Sequence, residues 1–151
     1  MIIRLLIVVL SLAGLVISLY FTLAYYGRIR KARWVPEILC AREGSSCVTV
    51  VQTPYARVFG VPNSLFGILY YVVLIAWIGT GWIPPVDVQY HDTYYVLSPR
   101  TILVPISAAT VLFGFFLIYA LRRILHIDCP LCYAGHAINF AIFVLLFFPN
   151  W

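Results

Sequence analysis

Four stretches of mainly apolar residues, each long enough to cross a bilayer, constrain this chain more than any other feature. A hydrocarbon core of about 30 Å needs roughly 20 apolar helical residues to span it. The first stretch runs from about Leu5 to Tyr26 with no charge inside it. The others run from about Ser64 to Trp82, from about Thr101 to Leu121, and from about Cys129 to Phe148. A lone spanning segment must satisfy its own backbone hydrogen bonds in lipid, so each stretch is expected to be a helix. The expected fold is therefore an all-α membrane protein. It is a four-transmembrane-helix bundle capped by a long first loop over about Gly27 to Asn63, with residues 1–151 forming one integral membrane domain.

Composition excludes the soluble alternatives. Apolar residues make up 64% and charged residues 10%, against about 45–50% and about 25% in ordinary globular domains. The net charge of +5 does not point to nucleic acid, because Arg28, Arg30, Lys31 and Arg33 cluster beside the first span. There they act as orientation signals and contacts for anionic lipid. The first stretch is expected to be a retained span. It exceeds the 7–15 apolar residues of a signal peptide, and Tyr25, Tyr26 and Arg28 follow it rather than a small-residue cleavage site. Pro105 is expected in the first turn of the third span, where a missing N–H costs little. The second connection, about Ile83 to Arg100, reads as a loop. The third reads as a short hairpin around Arg122, Arg123, His126 and Asp128.

The four cysteines form two pairs, Cys40 with Cys47 in the first loop and Cys129 with Cys132 at the start of the fourth span. In a four-span protein the first and third loops share one side of the membrane, so all four sulfurs gather at one face. Cys129-Pro130-Leu131-Cys132 is a C-x-x-C at an expected helix start, with Asp128 as a candidate N-cap. Free amide N–H groups and the helix dipole at such an end favour a thiolate, the attacking species in disulfide exchange. A thiol–disulfide relay is the reading these pairs favour. Structural disulfides and a zinc site are the alternatives, although six residues separate Cys40 from Cys47 where metal pairs have two to four. From Cys132 a helical face continues through His136 and Asn139, at spacings of four and three. These two residues either hydrogen-bond between helices or form the polar tip of a ligand pocket.

The run CVTVVQTPYARVFGVPNSLFG from Cys47 to Gly67, Leu39-Cys40 upstream of it, and CPLCYAGHAIN from Cys129 to Asn139 resemble the vitamin K epoxide reductase family. The likeness extends over nearly the whole chain, including Ser18-Leu19-Tyr20. The resemblance implies a four-helix bundle around a quinone. Cys132 matches the cysteine that faces and reduces the quinone, and Cys129 matches its partner, which exchanges with the residue matched by Cys47. Cys40 matches the loop cysteine that swaps disulfides with a thioredoxin-like protein. Asn63 matches a position that hydrogen-bonds a quinone carbonyl, and Thr53 matches the Ser/Thr that supports the loop. His136 stands where vertebrate enzymes carry a tyrosine against the other carbonyl. An imidazole can donate to that oxygen and can also supply a proton. With this departure, a plain quinone of the menaquinone or ubiquinone type is expected rather than vitamin K epoxide. Catalytic cysteines and quinone contacts are thus expected, with no bound metal.

Many prokaryotic relatives are fused to a thioredoxin-like domain. This chain ends at Trp151 without one, so a separate thioredoxin-like partner is expected, with the chain itself a monomer. The bacterial disulfide-formation protein B also has four spans and two cysteine pairs, but there the C-x-x-C comes first. Orientation follows from charge. The first and third loops hold Arg28, Arg30, Lys31, Arg33, Arg42, Arg57, Arg122 and Arg123, whereas the opposite side holds Arg4 and Arg100. Positive-inside reasoning places the sulfurs at the cytoplasmic face of the cell membrane.

Overall fold

The computed structural model describes residues 2–28, 46–79, 86–90, 93–97 and 99–148. Cys40 and the basic residues Arg30, Lys31, Arg33 and Arg42 lie outside them, as does most of the expected cap.

The first helix, α1 (Ile2–Tyr25), is built inside out relative to a helix of a soluble protein. Leu5, Val9, Leu12, Val16, Leu19 and Leu23 are exposed, whereas Ile7, Ser11, Gly14, Ser18 and Thr22 are buried. Spacings of three and four put the buried set on one helical face. Small and hydroxyl residues at that face let neighbouring backbones approach, and the large aliphatic side chains are left for lipid.

The short helix α2 (Ser46–Val51) leads through a 3₁₀ turn, Pro54–Ala56, into a two-residue hairpin of β1 (Arg57–Val58) and β2 (Val61–Pro62). Phe59 and Gly60 turn the hairpin with φ of 52° and 81°, the left-handed pair that a tight hairpin requires. Helix α3 (Asn63–Leu74) continues as a wider π turn through Ile75–Gly79. Strands β3 (Val86–Tyr90) and β4 (Thr93–Leu97) pair antiparallel, with Val86 opposite Leu97 and Tyr90 opposite Thr93. The second connection is therefore a hairpin rather than a plain loop. Its β-branched and aromatic residues suit a strand ladder.

Helix α4 (Pro99–Tyr119) also ends in a π turn, Ala120–Leu125. It begins earlier than the sequence predicts, so Pro105 sits inside the helix rather than in its first turn. Arg122 and Arg123 likewise belong to the end of this helix. The amide of Ile127 donates to the Leu121 carbonyl at 3.1 Å, and His126 turns the chain with φ of 52°. Only a few residues then precede α5 (Pro130–Leu146).

Among the described residues, two helical stretches, Ile2–Tyr25 and Arg100–Leu125, are long and apolar enough to cross a membrane. Asn63–Gly79 and Pro130–Leu146 are shorter apolar helices. Helix α1 packs along both α3 and α5, and α5 packs along α4. The α1–α3 contact is a reciprocal fit. The Tyr71 ring fills the space a Cβ on Gly14 would occupy, and Ser18 Oγ would lie 2.6 Å from a Cβ on Gly67. One core cluster joins Ile7, Tyr71, Leu74, Ile78, Leu103, Ile142 and Leu146. A second, toward the other end of the helices, joins Tyr20, Val50 and Leu121 to Cys47 and Cys129.

Candidate active site

Cys129 is itself the N-cap of α5, in place of Asp128 as expected from the sequence. Its sulfur accepts a hydrogen bond from the Cys132 amide at 3.3 Å, and Pro130 follows where no N–H is needed. Asp128 serves the same corner differently. Its Oδ1 accepts from the Tyr133 hydroxyl at 3.2 Å, and that hydroxyl accepts from Arg122 Nε at 3.3 Å. The Arg122 guanidinium also lies over the Tyr133 ring, 5.4 Å from its centre. This clip fixes the turn that carries Cys129 to the first turn of α5.

Cys129 and Cys132 form a disulfide with Cα atoms 5.3 Å apart. Cys47, from α2, brings its sulfur to 3.3 Å from Cys129 Sγ, and both residues are fully buried. Cys47 is also disulfide-bonded, so neither sulfur carries a proton and the contact is not a hydrogen bond. Cys47 and Cys129 thus stand within reach of one another, so that once either disulfide is reduced the thiolate it leaves can attack the sulfur opposite. When the Cys129–Cys132 bond opens, the Cys132 amide and the helix dipole favour a thiolate on Cys129.

Cys132 lines a cavity of about 400 Å³ walled by residues of α1, α2, α3, α4 and α5. That volume lies within the roughly 300–1,000 Å³ of small-molecule sites. Apolar walls come from residues such as Phe66, Phe113, Leu117 and Leu131. Thr53, Asn63 and His136 all line it, so the structure gathers these sequence-predicted residues around Cys132. Thr53 Oγ1 donates to the Val50 carbonyl at 2.7 Å, tying down the end of α2 behind Cys47. Asn63 opens α3. His136 buries Nδ1 with no hydrogen-bond partner among the described residues.

Polar contacts in and beside the cavity carry no motif of their own. Tyr71 donates to Asn139 Oδ1 at 2.6 Å, which gives Asn139 an interhelical partner and not only a place on the lining. Tyr70 and Ser107 meet at 2.9 Å and link α3 to α4. Thr22 Oγ1 lies 2.8 Å from both the Ser18 carbonyl and Ser64 Oγ. The available signal was the presence of hydroxyl groups, spaced by three and four, inside otherwise apolar spans.

Buried sulfurs at a helix start, in contact with a cysteine of the first loop beside an apolar pocket, in a chain with membrane-length helices, are the arrangement of a membrane thiol–disulfide oxidoreductase. Residues 5–147 match the model of the vitamin K epoxide reductase family, and the chain belongs to that family. The family is membrane-embedded, and its members generally use a quinone as electron acceptor. No curated protein matches the chain.

Proposed function

We propose that the protein generates disulfides by passing electrons from an external dithiol, through Cys40 and Cys47, to Cys129 and Cys132, and on to a quinone in the cavity. The observation that carries the reading is the 3.3 Å contact of Cys47 with Cys129, joined to a cavity lined by the other sulfur of that disulfide. A quinone supplies a lipid-soluble acceptor for two electrons and two protons. The residues present fit it, since the walls are apolar and Asn63 and His136 offer polar groups along the lining. Thr53 holds the end of α2, and with it the register of Cys47.

In this reading all four apolar helices span the bilayer and the sulfur pairs share one face, with both termini on the opposite face. Exposed Arg28, Arg57, Arg122 and Arg123 near the sulfurs favour a cytoplasmic site. The dithiol donor is a thioredoxin-like protein, and the quinone is of the menaquinone or ubiquinone type.

The test is dithiol oxidation by purified protein with an added quinone. Cys132→Ser is expected to lower the rate by about 10³-fold or more. Cys47→Ser should block supply from a protein dithiol while Cys132 stays reactive. Turnover that persists in Cys132→Ser would reject the assignment. A compartment-sensitive reporter at the C-terminus tests the orientation, with an external signal expected.

A further inference from the structure

His136 is held against α4 by the absence of a side chain at Gly114. A Cβ there would lie 2.8 Å from His136 Nδ1, 3.4 Å from Cγ and 3.5 Å from Cε1. Nδ1 is thus the ring atom nearest the open side of Gly114, flanked by its two bonded neighbours. The two remaining ring atoms, Cδ2 and Nε2, form the edge turned away from Gly114, and the residue lines the cavity. Nδ1 is sealed from solvent and accepts or donates no hydrogen bond among the described residues.

These facts decide where the ring proton sits. A neutral imidazole has one N–H and one lone pair, and an imidazolium has two N–H groups. An N–H at Nδ1 would be a buried donor aimed at glycine carbon, with no acceptor. A lone pair there meets only C–H groups, the less costly mismatch. We infer that His136 is fixed as the Nε2–H tautomer by its seat on Gly114, and acts toward the cavity as a hydrogen-bond donor rather than as a proton source. The donor role rests on the quinone reading above; the tautomer does not.

The chemistry balances without a proton from His136. Overall, oxidation of one donor dithiol to a disulfide releases two electrons and two protons, and reduction of a quinone to a quinol takes up the same number. A neutral Nε2–H has no easily lost proton. It can stabilise charge developing on an oxygen beside it, and such a pre-oriented donor needs no rearrangement as that charge grows. A neutral histidine used as an electrophile is an established solution in other enzymes. Gly114 is on this account a positioning residue for His136.

The decisive measurement is the nitrogen spectrum of protein labelled with ¹⁵N-histidine in lipid nanodiscs, the His136 signal being assigned by its loss in His136→Gln. A protonated Nε2 with a pyridine-type Nδ1 is expected, with or without quinone. A protonated Nδ1, or both nitrogens protonated, overturns the inference. The donor role is read separately from kcat/KM with a soluble quinone. His136→Leu should lose about 100-fold, and His136→Gln, whose amide nitrogen falls near Nε2, should recover about tenfold of that loss. His136→Asn, which places its amide near Nδ1, should not. Equal losses in all three variants overturn the donor role and leave the tautomer standing, whereas absence of quinone-dependent turnover in the unmutated protein would reject the functional reading itself.

Discussion

The two ends of the helix bundle are assembled from different materials. Toward the sulfurs the interior is interrupted by Ser18, Thr22, Asn63, Ser64, His136 and Asn139, and all but Thr22 line the cavity. Toward the other end, Ile7, Leu74, Ile78, Leu103, Ile142 and Leu146 close into a cluster that is almost entirely sealed. The cations there are spent on helix ends. Arg4 donates to the carbonyls of Ile78 and Gly79, and Arg100 donates to that of Phe147. Cations at helix C-termini satisfy free carbonyls and complement the dipole. Polar groups inside a membrane bundle are costly, and most of the described ones gather at the sulfur half, with Ser11 and the Tyr70–Ser107 pair as the exceptions nearer the sealed cluster.

That division can be broken or sharpened by substitution. Leu74→Ala, in the sealed cluster, should cost about 2–5 kcal/mol of stability in detergent unfolding, while turnover per folded molecule stays the same. A comparable loss of turnover would erase the distinction between the halves. Gly114→Ala should reverse the pattern. The new Cβ displaces His136, and turnover should fall by about tenfold or more, because small misplacements are costly in reacting sites, with little change in unfolding. Tyr71→Phe lies on the boundary and should show in both measurements. Loss of its hydroxyl leaves Asn139 Oδ1 without its donor, for about 1 kcal/mol of stability, and the freed amide should raise KM for quinone. Arg100→Ala should have the smallest effect, below about 1 kcal/mol, visible only as fraying of the end of α5 in hydrogen exchange.

Much of the site was legible in the sequence because its chemistry is carried by residue types rare in apolar segments. Two cysteine pairs, Asn63 and His136 stand out against leucine and valine, and helical spacing predicts that Cys132, His136 and Asn139 share a face. The four apolar helices were legible from apolar length, although among the described residues only Ile2–Tyr25 and Arg100–Leu125 have the length and composition to cross a membrane. What escaped depends on contacts between distant segments. Nothing in the local sequence says that Gly14 receives Tyr71 or that Gly114 receives His136, since a glycine's partner is a property of packing. The π turns were missed because widening a helix leaves its composition unchanged, and Arg122 and Arg123 therefore read as loop. Side-chain preference alone points to Asp128 as the N-cap. A cysteine can fill that role when the following proline needs no donor, and Asp128 was left free to bind Tyr133.

The complete burial of Cys47 and Cys129 has a consequence for how the protein coexists with the small thiols of its surroundings. A junction sealed from water is closed to glutathione-sized reductants unless α2 lifts, so in the proposed relay oxidising equivalents held there are kept from the bulk pool. The same packing that presses the two sulfurs together insulates them.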